Sequence, residues 1–187
     1  MNTLYAWDFH GVLEKGTAYS VMDTCNEVMK KFGKKRKITW DETVNWFGKS
    51  WSDYMTNLSP DSTLDEICEM KESAIRIGRE IKKKYTKPMD YATEVLGKIK
   101  NNGDKNIVIS NARPSSVKDF INTVNLKDYV DEYFGVPREF ENNLCITTYK
   151  GNLLKKYSKE NKFSRIVMTG DKETDIKAGK MAGSTTF

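Results

Sequence analysis

Three short apolar runs in this chain each stop on residues that can do chemistry, and amphipathic helical stretches separate them. Residues 3–9 (TLYAWDF) run into Asp8, with Gly11 just beyond. Residues 106–110 (NIVIS) close on Ser110, and residues 164–169 (SRIVMT) lead into Gly170-Asp171. Short apolar runs bounded by polar residues and glycine predict buried strands followed by tight turns. Helices are predicted at 88–101 (inner face Val95, Leu96 and Ile99), near 115–124, at 151–161 and near 173–182. Weaker strands are predicted at 132–136 and 144–148, and a last short one at 185–187. Strands alternating with helices imply a parallel, doubly wound sheet.

One block breaks the alternation. Between Gly16 and Lys87 the periodicity is helical throughout. Val21, Cys25, Val28, Met29 and Phe32 share one helical face that Gly33 ends. Thr39-Trp-Asp-Glu42 and Thr63-Leu-Asp-Glu66 have the spacing of capping boxes. The first opens a short helix stopped by Gly48. The second opens a long one to about Tyr85, with Leu64, Ile67, Ile75 and Ile81 inward. The reading is therefore an α/β, Rossmann-like core of residues 1–15 and 88–187, with a helical insert at 16–87.

Composition removes several functions. No stretch approaches the ~18–20 apolar residues of a membrane span, and the first residues lack the basic start of a signal peptide. Three scattered cysteines and no CxxC pattern predict free thiols, and hence a cytoplasmic protein. A single histidine excludes a zinc site of ordinary Cys/His spacing. The net charge of +5 favours an anionic ligand. The runs Lys34–Lys37 and Lys82–Lys84 read as solvated faces, so nucleic acid is not the expected partner. Oligomeric state leaves no mark in the sequence.

In an open parallel sheet, ligands bind beyond the carboxyl ends of the strands. Asp8, Asp171 and Asp175 would there surround one point and repel each other, and a hard divalent cation such as Mg²⁺ relieves that. A carboxylate so placed can attack phosphorus, while Ser110 and a lysine hold the phosphoryl oxygens. Lys150, just before the predicted helix from Gly151, is the natural lysine, with Lys155 and Lys156 as alternatives. Gly11 lets backbone approach the phosphate.

This set resembles the haloacid dehalogenase superfamily, whose motifs are Asp-x-Asp-x-Thr/Val, Ser/Thr after a strand, Lys, and Gly-Asp-x-x-x-Asp. The likeness covers about 115 residues of the core and is densest in NIVISNARP and VMTGDKETDIKAGKMAG. It implies Asp8 as nucleophile, Ser110 and Lys150 as phosphoryl contacts, and Mg²⁺ on Asp8, Asp171, Asp175 and the backbone carbonyl of His10. It also implies that the insert is a cap whose segment Trp46-Phe-Gly-Lys49-Ser50 reaches substrate, so that Lys49, with Gly11, Asn111 and Arg113, contacts it. The expected activity is Mg²⁺-dependent hydrolysis of a small phosphorylated metabolite or nucleotide. One position departs from the family: His10 stands where its phosphatases carry the acid/base aspartate. Histidine suits proton transfer near neutrality. The departure keeps open phosphotransfer, phosphonate or other chemistry, or a weakly active ligand-binding role.

Overall fold

The computed structural model describes residues 2–137 and 143–187, and these divide into two compact units. Met1–Lys15 with Lys87–Phe187 form the sheet unit, and Gly16–Thr86 form the helical unit.

Five parallel strands make the sheet: β1 (Thr3–Trp7), β4 (Lys105–Ser110), β5 (Glu132–Gly135), β6 (Arg165–Thr169) and β7 (Thr185–Thr186). Their order is β5-β4-β1-β6-β7, so β1 is central. Alternate side chains feed two cores. Leu4, Ala6, Ile107, Ile109 and Met168 pack on one face with Leu154 of α7 (Asn143–Glu160). Val108 packs on the other with Leu96 of α5 (Ala92–Asn101) and with Val117 and Ile121 of α6 (Pro114–Thr123). Burial on both faces explains why these strands read as unbroken apolar runs. α8 (Glu173–Met181) follows β6.

Two boundaries differ from the sequence reading. The helix expected from Pro88 begins at Ala92, because Lys87–Pro88 (β3) instead pairs antiparallel with Glu14–Lys15 (β2). Its Val95 is exposed, while Leu96 and Ile99 point inward. The strand expected at 144–148 is helix: α7 begins at Asn143 and takes in Lys150, rather than starting after it. Ile146, Lys150, Leu154 and Ser158 are buried at four-residue spacing. That helical stripe outweighs the β-branched content of Ile146-Thr147-Thr148.

The helical unit has its own core around Cys25, Val28, Met29, Tyr54, Met55 and Met70. α1 spans Thr17–Lys31, α2 Trp40–Asn45, α3 Trp51–Leu58 and α4 Leu64–Tyr85. Thr39 and Glu42 form the expected reciprocal cap. Ser50 and Asp53 form a second one, which opens the unforeseen α3. At α4 the box is half made. Thr63 caps the Glu66 amide, but the Glu66 carboxylate pairs with Lys34 at 2.9 Å. The inner face of α4 is Ile67, Met70, Ser73 and Ala74, which leaves Leu64 and Ile75 exposed, contrary to expectation. No helix among the described residues is long and apolar enough to cross a membrane.

Candidate active site

Parallel register aligns Trp7 with Val108 on one side and with Thr169 on the other. Asp8, one residue on, therefore lies between Ile109-Ser110 and Gly170-Asp171, and its amide donates to the Thr169 carbonyl at 2.9 Å. Asp175 reaches the same place from the first turn of α8. Ligand atoms of Asp8, Asp171 and Asp175 all lie within 4.8 Å of one another. Gly170 makes room for this, since a Cβ there would stand 2.2 Å from the Cβ of Asp175. Gly11, at φ +82°, brings its backbone against Asp171, where a Cβ would meet Oδ2 at 2.9 Å.

Lys150 is the counterion. It is 1% exposed, and its Nζ donates to Asp175 Oδ1 at 2.6 Å and to Asp8 Oδ1 at 3.1 Å. Burial works against its charge, but the two carboxylates more than offset this and hold its proton more tightly than on an ordinary lysine. Burial raises Asp175 above the usual carboxylate range; Lys150 opposes the rise and Asp8 adds to it. Asp171, on the exposed side of the trio, is also raised, by partial loss of water and then by the Asp8 charge.

The remaining expected residues are placed as follows. Ser110 is buried, and its Oγ accepts from the Ala112 amide at 3.2 Å. Asn111 has a buried Oδ1 with no hydrogen-bond partner among the described residues. Arg113 is exposed at the N-cap of α6. Lys49 belongs to the helical unit, where its Nζ lies 5.6 Å from the centre of the Trp46 ring. His10 sits in a tight turn in which the amides of Val12, Leu13 and Glu14 all donate to the Phe9 carbonyl. Its ring meets Phe120 edge-on at 4.7 Å, and its Nδ1 lies 3.0 Å from Oε1 of Glu14. Glu14 is a residue that the sequence reading missed. It is 1% exposed, and its Oε2 is buried with no hydrogen-bond partner among the described residues.

This donor set fits a hard divalent cation. Three carboxylates against one ammonium leave two negative charges in a confined space. All the side-chain ligands in the cluster are oxygens, and Asp175 Oδ2 is buried without a hydrogen bond among the described residues. Oxygen ligands with water completing the shell are what Mg²⁺ takes.

The family model described as haloacid dehalogenase-like hydrolase matches residues 5–187. No curated protein matched the sequence. Among solved structures, one described as a predicted phosphoglycolate phosphatase from Haemophilus somnus 129PT superposes with a TM-score of 0.82 at 16% identity, covering 99% of this chain and 84% of that one. A HAD-superfamily hydrolase, subfamily IA, from Geobacter sulfurreducens PCA gives 0.76 at 15% identity, with 99% and 85% covered. A hydrolase from Streptococcus pneumoniae TIGR4 gives 0.68 at 19%, with 98% and 90% covered. At these identities the likeness is one of fold.

Proposed function

Since this chain belongs to the haloacid dehalogenase-like hydrolase family, we propose that it is a Mg²⁺-dependent phosphohydrolase acting on a small phosphorylated metabolite or nucleotide. The observation that carries this reading is the buried Lys150 paired to Asp8 and Asp175, beside a third carboxylate. The phosphatase description of the Haemophilus somnus structure supports it.

Asp8, Asp171 and Asp175, with the His10 carbonyl, would hold Mg²⁺. When bound, it supplies positive charge that offsets the carboxylates and the phosphoryl oxygens. The chain's own groups do the rest. Lys150 and Ser110 hold the phosphoryl oxygens, assisted by Gly11, Asn111 and Arg113. An Asp8 carboxylate oxygen forms the new bond to phosphorus as the ester oxygen leaves, and His10 gives that oxygen a proton. His10 then takes a proton from water. The water oxygen attacks phosphorus, the bond to Asp8 breaks, and inorganic phosphate leaves with the carboxylate restored. As in the resemblance, the helical unit would serve as a cap that excludes bulk water, and Lys49 is its candidate contact for an anionic substrate. A cytoplasmic location suits a chain whose cysteines form no disulfide among the described residues.

The test is phosphate release from p-nitrophenyl phosphate and a panel of phosphorylated metabolites and nucleotides, with and without Mg²⁺. Mg²⁺-dependent release that disappears in Asp8→Asn is expected. Release that survives Asp8→Asn, or none from any compound with Mg²⁺ present, sinks the reading.

A further inference from the structure

The turn after β1 holds a buried carboxylate that takes no part in the proposed reaction. Glu14 is 1% exposed. One of its oxygens lies 3.0 Å from His10 Nδ1, and the other is buried with no hydrogen-bond partner among the described residues. Burying a carboxylate with half of its acceptor capacity unmet is a poor way to stabilise a fold. Its geometry toward His10 is specific, however. A carboxylate only accepts hydrogen bonds, and the partner this geometry offers it is an N–H on Nδ1. The backbone fixes the approach: His10 and Glu14 form a β-bridge, and the Gly11 amide donates to the Glu14 carbonyl at 3.1 Å. The ring is walled by Phe9 at 5.3 Å and Phe120 at 4.7 Å, both edge-on, which restricts its rotation.

We infer that Glu14 is a positioning residue for His10, holding the imidazole in the Nδ1–H tautomer so that Nε2 is the atom that exchanges protons with substrate and water. This rests on the acid/base role proposed for His10. It assigns to a Glu–His pair, on one turn, the task that the family's phosphatases give to an aspartate at the position of His10. Carboxylates behind histidines do this elsewhere, fixing the tautomer and the ring orientation.

His10 is the only histidine in the chain, so its ring nitrogens are the only imidazole signals in a ¹⁵N spectrum. The experiment is a long-range ¹H–¹⁵N correlation on the full chain at about pH 9, well above the ~6.5 of an ordinary imidazole. It is recorded for wild type, Glu14→Gln and Glu14→Asp. The expected wild-type result is a protonated Nδ1 and a bare Nε2. Glu14→Gln, whose amide can offer an N–H to the ring, should shift the population toward Nε2–H. It should also lower kcat on p-nitrophenyl phosphate roughly 10–100-fold, with KM and Mg²⁺ affinity held. Glu14→Asp should retain the Nδ1–H form. A wild-type ring in the Nε2–H form, or a Glu14→Gln spectrum identical to wild type, overturns the inference. Should Glu14→Gln fail to fold, the wild-type spectrum alone decides. The two readings fail separately. Nδ1–H without phosphate release removes the phosphohydrolase and leaves Glu14 as the orienting group. Phosphate release from an Nε2–H ring does the reverse.

Discussion

Replacing Lys150 with methionine keeps much of the side chain's volume and removes its charge. The ammonium lies 2.6 Å from one carboxylate oxygen and 3.1 Å from another, and all three side chains are at most 8% exposed. At an effective dielectric of ~20, each contact is roughly 5–6 kcal/mol of attraction. Most of that is offset by the several kcal/mol needed to take an ion out of water. What the substitution exposes is the cost of two buried carboxylates without their partner, about 3–5 kcal/mol for such a break. For a chain of this length that is about 6–20 °C in Tm, at ~2–4 °C per kcal/mol. The assay is thermal unfolding in EDTA near neutral pH, with urea denaturation alongside. Adding Asp175→Asn to Lys150→Met should restore part of the loss, because the two residues are directly coupled. A loss below about 1 kcal/mol, the scale of an exposed pair, would refute the claim that Lys150 neutralises the carboxylates.

Gly170→Ala would put a Cβ 2.2 Å from that of Asp175 and 2.8 Å from its Oδ2; Mg²⁺ affinity by calorimetry should fall roughly 10–100-fold, and an unchanged affinity would show that Asp175 is not held by this contact. The metal-free protein should lose stability as pH rises from the ordinary carboxylate range of ~4, through the raised values of Asp175 and Asp171. The sign follows because over that window the folded state binds more protons than the unfolded one. Saturating Mg²⁺ needs the ionised forms, so its stabilisation should be small at the acid end and grow with pH, reaching about 2.7 kcal/mol at ~100 Kd. Scanning fluorimetry with EDTA or Mg²⁺ checks this, and a Mg²⁺ shift equal at every pH contradicts it.

Asp8, Ser110 and Asp171 could be read from the sequence for a single reason. Each ends an apolar run, and a parallel sheet gathers strand ends at one edge. Asp175 follows from its four-residue distance to Asp171 across a helix start. The sequence puts Lys150 outside its helix, because Ile146-Thr147-Thr148 has the composition of a strand, and only burial at Ile146, Lys150 and Leu154 reveals the helical stripe that carries it to Asp8 and Asp175. α3 was missed although Ser50-x-x-Asp53 announces it, since aspartate stands where a capping box usually has glutamate. Leu64 and Ile75 were assigned inward on hydrophobicity alone, whereas the inner face of α4 includes a serine, Ser73. Glu14 gave no signal. It is one acid among 26, and its burial comes from a turn whose shape depends on three amides sharing one carbonyl.

The central place of β1 has a consequence for how the chain is made. Its two sheet partners, β4 and β6, come roughly 100 and 160 residues later. At ~5–20 residues per second on a ribosome, that is a wait of roughly 5–30 s. The helical unit, whose core is drawn from Gly16–Thr86 alone, is complete well before then. β1 thus waits unpaired while the whole helical unit is made. Leu4 and Ala6, buried in the folded sheet, stay in water or on a chaperone until β4 and β6 emerge.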